Sequence, residues 1–374
     1  MTLAAPRINR RTAIVGGLAA ALAAPAAAQR LTPAEQKIDP RPQPAGSLAA
    51  RTVAAMPGYV PAGDIAGAIR LWGHGNRKLP WMHYLVDQWA EAFARFHPGV
   101  TLDYQLYGTS SGIPALYNGL GDIALLGEEI LPDAARAFER VKGYAPTGIE
   151  LMTGSMDIRN FDYAQMVFVH RDNPLARISL VELDGVLGTE HRRGPRNIRR
   201  WGELGLTGQW ADRPINPYSW DIDDSFGFYL QNAVLLGSHR WNSALRGFAH
   251  INNPDGTIYD HGQQILDALA RDPLGLAVSN IRYASPPVKA LPLGASAAGP
   301  FVMASERTLI DQSYPLARTL PAVIDRPPDG RIDPKVRAFL RFVLSREGQE
   351  AVNRDGRYLP LSAEMAARQR RVLG

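Results

Sequence analysis

Val100-Thr-Leu-Asp-Tyr-Gln-Leu-Tyr107, then Gly108-Thr-Ser-Ser-Gly112, then the run from Ile113 to Glu129 decide how this chain is read. Val100, Leu102, Tyr104 and Leu106 alternate with polar or small neighbours, the period-two pattern of a strand with one buried face. A small-residue loop follows, then a short helix from Ile113, and Asp122 opens a second strand. Backbone N–H groups at the start of such a helix, with the hydroxyls of Thr109, Ser110 and Ser111 beside them, suit a bound anion. An ordinary Ser/Thr cap satisfies the same N–H groups. On local grounds the cap is the commoner reading, because capped strand–loop–helix units occur throughout α/β proteins.

Upstream, Ala68-Ile-Arg-Leu-Trp72 reads as a short strand running into Gly73-His-Gly-Asn76. The helix after it gathers Leu85, Trp89, Phe93 and Phe96 on one face, and His97-Pro98-Gly99 stops it. Strand–loop–helix twice in succession is the signature of a largely parallel sheet. Downstream, Ala164–His170 is another strand, ended by the turn Arg171-Asp-Asn-Pro174. Glu190–Arg200 is basic and loop-like, Trp201–Leu206 is a short helix with a turn, and Asp221–Leu235 and Gln263–Ala270 are expected helices. The last third holds a strand from Ala317 to Ile324, weakened by Pro321, and a helix from Pro334 to Val352. Val336, Phe339, Leu340, Val343 and Leu344 form that helix's apolar face. No internal repeat is visible. Two α/β halves, with the chain leaving one, building the other and returning, would leave a cleft where ligands bind at the carboxyl ends of strands.

The first residues carry a processing signal. Arg7, Arg10 and Arg11 precede an apolar run from Thr12 to Ala24, and Ala26-Ala27-Ala28 supplies small residues for cleavage before Gln29. The run is too short for a membrane span. Adjacent Arg10-Arg11 allows twin-arginine export as well as the general secretory route. A soluble periplasmic protein is expected. Cysteine is absent, so the exported protein rests on its core and carries neither a lipid anchor at a mature N-terminal cysteine nor thiolate chemistry. The formal charge of +5 includes the three leader arginines, which leaves no nucleic-acid footprint. From Gln29 to Gly67 the chain is rich in Pro, Ala and Gly, and an extended lead-in is expected.

Placed in order, these segments resemble the phosphate-binding periplasmic proteins of ABC importers, within the two-lobed type II periplasmic-binding-protein superfamily. Gly108-Thr-Ser-Ser-Gly-Ile113 followed by Asp122 resembles the family's Gly/Ser loop and the aspartate that opens its next strand. Ile198–Trp210 with Arg213-Pro-Ile215 resembles its W-x-x-L segment. Ile281–Ser285 with Val288–Leu291 resembles the strand and turn near the completion of its second lobe. Tyr314–Leu320 with Phe339–Glu350 resembles its returning strand and C-terminal helix. The resemblance implies an α/β fold in which each lobe is a mixed sheet flanked by helices, and two hinge strands join the lobes. On this reading residues 1–28 are the signal peptide, 29–67 the lead-in, 68–165 and 314–374 lobe I, and 166–313 lobe II. The hinges fall near Tyr163–Val167 and Ser313–Leu316.

The family holds its anion with backbone N–H groups, hydroxyls, an arginine, and an aspartate that accepts a proton from the ligand. Carried onto this chain, the resemblance implies Gly75, Thr109, Ser110, Ser111, Gly112 and Asp122 on one side, and Asp224 and Ser225 on the other. His74 faces the cleft or is an ordinary loop histidine. The second side departs from the family, which reads Gly-Arg-Asp, a spacer, then Ser-Gly-Thr. Here Trp220 stands in the arginine's place and Asp224-Ser225-Phe226 or Ser225-Phe226-Gly227 replaces Ser-Gly-Thr. Each charge-assisted bond to a dianion is worth about 1.5–3 kcal/mol, so the loss is severe unless Arg213, Arg246 or Arg192-Arg193 compensates. Three readings follow: phosphate held by a rearranged arginine, a different small molecule against a Trp220–Tyr218 wall, or a lobe that has lost its ligand and binds a partner. Core packing is the commoner fate of Trp220 and Tyr218.

Asp221, Asp223 and Ser225 have calcium-loop spacing, but Phe226 and Asn232 occupy the positions that need Gly and Glu. No metal and no cofactor is expected, and no catalytic constellation or nucleotide-phosphate loop is present. The leading expectation is a monomeric, exported solute-binding protein that captures a small oxyanion, phosphate in the simplest case, for ABC permease subunits. The alternative is a binding or signalling module of the same fold with an altered or lost ligand site.

Overall fold

The computed structural model describes residues 40–75, 82–156, 164–255, 258–280 and 283–374. The expected signal peptide, the start of the lead-in, Asn76, Tyr163 and Ile281-Arg282 lie outside the described residues. The chain first forms α1 (Leu48–Ala54), β1 (Gly67–Gly73), α2 (His83–Ala94), β2 (Val100–Gln105), α3 (Gly112–Tyr117), β3 (Ile123–Leu125), α4 (Pro132–Lys142) and β4 (Thr147–Thr153). A second run comprises β5 (Gln165–His170), β6 (Ile178–Ser179), α5 (Leu180–Leu187), β7 (Asn216–Trp220), α6 (Ser225–Ala233), β8 (Arg246–Phe248), β9 (Ile251–Asn252) and β10 (Ile258–Tyr259). It continues through α7 (His261–Leu269), β11 (Gly275–Asn280), β12 (Val288–Ala290), β13 (Leu293–Gly294), β14 (Phe301–Val302) and α8 (Glu306–Ile310). The chain returns with β15 (Thr319–Ile324), α9 (Pro334–Val343), α10 (Arg346–Asp355) and α11 (Ala363–Leu373).

Two five-stranded sheets organise these elements, in the orders β2-β1-β3-β15-β4 and β8-β7-β11-β5-β12. The plan is the same in both. Three strands run parallel, and the next strand is antiparallel to the third. In the first sheet that antiparallel strand is β15, which arrives after the second sheet is complete. In the second it is β5, which arrives after β4. Each sheet therefore holds an antiparallel strand that the chain enters after leaving the other sheet, and this is the mixed α/β arrangement that the resemblance implies.

Burial explains why these segments pair. All six residues of β11 are buried, and β5 is buried at five positions, as strands covered on both faces require. Along β15, Leu320, Ala322 and Ile324 join a core with Trp89, Phe93, Phe339 and Phe342, while Val323 joins a smaller one with Ile113, Leu116 and Phe138. Pro321 sits inside this central strand because the register with β4 shifts between Leu320 and Pro321. A proline has no ladder N–H, and a bulge is where a sheet tolerates it. Its carbonyl still accepts from Leu126 N at 2.9 Å.

Two expectations need correction. The described part of the lead-in is not wholly extended: Ser47 caps α1, Ala49 and Val53 are buried, and Ala49 N donates to Glu306 Oε1 at 2.8 Å. The expected helix Pro334–Val352 is two helices, broken at Leu344-Ser345. Gly348 then lies so close that a Cβ would stand 2.3 Å from Phe342 O. Its carbonyl accepts the Trp89 indole N–H at 2.9 Å. Trp89 is fully buried at this junction. Trp89→Ala should cost about 3–5 kcal/mol in denaturant unfolding, whereas Val60→Ala, at an exposed position, should stay within about 0.5 kcal/mol.

Candidate functional site

The carboxyl ends of β1, β2 and β3 converge on His74. At Gly73 (φ 124°) a Cβ would meet Leu125 O at 2.2 Å, and at Gly75 (φ 149°) it would meet Leu106 Cβ at 2.6 Å, so only glycine fits either place. Between them His74 N donates to Leu125 O at 2.8 Å. The buried ring lies against Gly127, where any Cβ would fall 2.0 Å from it. His74 Nδ1 is 3.2 Å from Thr109 Oγ1, and Nε2 is 2.9 Å from the Tyr358 hydroxyl. Thr109 Oγ1 also accepts from Gly127 N at 3.1 Å. His74, Thr109 and Gly127 thus lock three loops together.

The Gly/Ser loop forms a tight turn, Thr109–Ser111, leading into α3. Ser111 Oγ donates to Gly108 O at 2.8 Å, a local turn bond. Gly112 is buried, with Ala124 Cβ 2.9 Å from where its own Cβ would stand. Ser110 is exposed at the tip. The structure therefore brings Gly75, Thr109, Ser110, Ser111 and Gly112 to one end of the first sheet, with Thr109 and Ser111 engaged in bonds that hold the loop.

Asp122 is not brought there. It stands at the start of β3 opposite Arg70, whose Nη2 and Nε donate to its two oxygens at 2.6 and 3.2 Å, and Arg70 N donates at 2.8 Å. At about 3.3 Å per residue, Asp122 lies roughly 15 Å along the strand direction from Gly127. The reason is topological: β1 and β3 are parallel, and the loops meet at their carboxyl ends, whereas Asp122 lies at the amino end of β3. Glu128 occupies the carboxyl end instead. Its carboxyl faces the hydroxyl of Ser225, the first residue of α6, and so brings the end of β3 to an element of the second sheet's core. Burial raises the Glu128 carboxyl above the usual glutamate range; the Ser225 hydroxyl, Arg318 and His74 work against the rise, and Glu129 adds to it.

The guanidinium in this space comes from the returning chain. Arg318, 6% exposed, lies one residue before β15 and donates through Nε and Nη2 to the two carboxylate oxygens of Glu129, each at 2.8 Å. Its other faces are aromatic: the Phe226 and Tyr229 ring centres lie 5.0 and 4.9 Å away. None of the arginines expected to compensate does so. Arg193 donates to Val234 O and Ala233 O at the far end of α6, Arg192 pairs with Glu190, Arg246 lies over Tyr218, and Arg213 is exposed.

On the second side, Asp224 caps α6 by accepting from Phe226 N at 2.9 Å. Burial opposes its charge, but His261 and that N–H hold it below the usual carboxylate range. Trp220 is buried, packs 4.7 Å from the Phe226 ring and 4.5 Å from His261, and donates from Nε1 to Gln165 Oε1 at 2.7 Å. It is core packing at the end of β7 and presents no wall to a ligand.

Glu128, Glu129 and Arg318 went unread in the sequence. The signal was there in the two carboxylates just past β3, at the end where such sheets bind ligands. Removing one member of the Arg318–Glu129 pair strands the other, so Arg318→Met should cost about 3 kcal/mol by denaturant unfolding, and adding Glu129→Gln should restore part of it. Glu128 binds more protons folded than unfolded. Its contribution to stability is therefore complete at low pH and is lost as pH rises from the ordinary glutamate range through the raised native value. Glu128→Gln removes that dependence, so its stability relative to the parent should climb between pH 4 and pH 7, read by denaturant titrations at both.

Comparison with known proteins agrees with this geometry. Residues 80–347 match the model of the PBP superfamily domain. The phosphate-binding protein PstS of Pseudomonas aeruginosa, in strains PAO1 and UCBPP-PA14, is 27% identical over 332 residues, covering 88% of this chain and 94% of that protein. The crystal structure of PstS from Borrelia burgdorferi shares the fold at a TM-score of 0.50 and 15% identity, covering 79% of this chain and 99% of that one. The Pseudomonas aeruginosa relatives are named as binding proteins, in keeping with the expectation of a protein that is not an enzyme. The resemblance carried by the ordered motifs is borne out, and the chain belongs to the PBP superfamily.

Proposed function

We propose that this chain is an exported, periplasmic solute-binding protein that captures a small oxyanion, phosphate in the simplest case, and delivers it to the permease of an ABC importer. The observation that carries this reading is the polar junction between the two sheets. Glu128 from the first meets Ser225 on α6, with Arg318 beside them. The similarity to proteins named as phosphate-binding supports the choice of anion. In this reading lobe I is 68–165 with 314–374 and lobe II is 166–313, each built on one of the sheets. The crossovers entering β5 and β15 act as hinges. Ser110, Thr109 and the Gly75 backbone offer donors from one side and Ser225 from the other. Arg318 supplies the cation that the family takes from the position of Trp220, exchanging part of its Glu129 pairing for the ligand. Glu128, its pKa raised, holds or accepts a proton, which favours an oxyanion that still carries one.

One observation favours a second reading. Two carboxylates flank a single guanidinium, so the junction is not strongly cationic. A less charged ligand than phosphate, or none, fits that balance as a module of the same fold with an altered site.

Calorimetry of phosphate, sulfate and organic phosphates against the purified protein separates the two. Phosphate capture predicts saturable binding and a rise in melting temperature through linkage, about 2.7 kcal/mol at a hundredfold excess over Kd. Ser225→Ala should weaken it by about 0.5–1.5 kcal/mol and Asp122→Asn should leave it unchanged. Absence of heat and of any melting shift at saturating phosphate overturns the phosphate reading.

A further inference from the structure

Beside the wall formed by α6, the strands β8 and β9 and the start of α7 gather a polar cluster that the anion reading leaves unused. His250, Asp260 and His261 each offer a ligand atom, and these atoms lie within 4.8 Å of one another. The two imidazole rings stack with centres 3.8 Å apart, and His250 Nδ1 stands 3.8 Å from Asp260 Oδ2. His261 is 5% exposed, and its buried Nδ1 makes no well-aligned hydrogen bond. That nitrogen faces Asp224 Oδ2 at 3.4 Å. Two donors bound to one tetrahedral ion at about 2.0–2.1 Å stand about this far apart.

We infer that His250, Asp260 and His261, with Asp224 as fourth donor, form a site for a divalent metal ion of the zinc class. Imidazole with carboxylate suits zinc and its neighbours better than the oxygen-seeking calcium or magnesium. The backbone already fixes half of the set. Asp224 Oδ1 accepts from Phe226 N at 2.9 Å and Asp260 Oδ1 from Gly262 N at 2.8 Å, so each cap leaves its Oδ2 directed at a histidine. Two aspartates balance the ion's charge. The His250 side chain is 45% exposed and has room to turn the ångström or so that closure needs.

The test uses the full mature chain, freed of metal by chelation and held without phosphate, so its outcome is separate from that of the anion reading. Zinc titrated by calorimetry should bind at one site per chain, and cobalt should give the intense visible band of a four-coordinate ion. His250→Ala and Asp260→Asn should each weaken binding about tenfold or more. Asparagine still caps α7, and His250 is exposed, so both variants should keep the parent's metal-free melting temperature. His239→Ala, at an exposed histidine elsewhere, should bind as the parent does. Equal affinity in the parent and His250→Ala, or no saturable zinc binding at all, overturns the site.

Discussion

A guanidinium buried where the chain returns to its first sheet must be neutralised there, and the carboxyl end of β3 does this. Arg318 enters β15 with little exposure to water, and an unpaired charge in that place would cost several kcal/mol. Glu129 meets it through two parallel bonds, and Phe226 and Tyr229 cover its remaining faces. One side chain thus ties the third strand of one sheet, the crossover strand, and the first turns of α6. The second crossover is fixed by neutral bonds of the same kind. The wholly buried Gln165 takes the Trp220 indole N–H on its side chain and the Tyr314 hydroxyl on its carbonyl. Both passages between the sheets are held by directional polar contacts.

This frame sets the chemistry at the junction. Glu128 lies next in sequence to the residue that neutralises Arg318, so it cannot also have that guanidinium as a full partner. Burial and the neighbouring Glu129 push its proton affinity up, and the Ser225 hydroxyl on the opposite element works against the rise. A carboxyl in that condition discriminates by hydrogen bonding more than by charge. It can donate when protonated and accept when not, and a group across the cleft must supply the complementary atom.

The sequence reveals more of the fold than of the site, and particular residues explain the difference. Alternation in Val100–Leu106 and the helical spacing of Leu85, Trp89 and Phe93 reflect one-sided burial, which leaves a period in the text. β11 leaves none: Gly275-Leu-Ala-Val-Ser-Asn280 is buried on both faces and mixes small with polar residues, so a central strand passes for loop. α1 is hidden by a lead-in whose composition suggests an extended chain, although Ser47 provides its cap. The Leu344-Ser345 break comes with the close approach of Gly348 to Phe342 and Val343 in the preceding turn, which the apolar periodicity of the segment does not register. In the candidate site, the order of motifs points to a loop that stands at the carboxyl end of the first sheet. Asp122 stands at the opposite end because β3 is only three residues long, and which end of so short a strand meets the loops is set by pairing direction.

In the proposed reading, Trp220 is where a site's charge has moved while the fold stays. At the end of β7 a guanidinium would face Gln165, Phe226 and His261, surroundings that suit an indole with one N–H to donate. With tryptophan there, the positive charge near Ser225 comes from Arg318, nearly a hundred positions later in the sequence but packed against the same helix. Residue-by-residue transfer from a family motif fails in such a case. The motif fixes a sequence position, whereas electrostatics requires only that some chain segment bring a cation to the place, and a fold whose chain crosses twice between its sheets offers several segments that can.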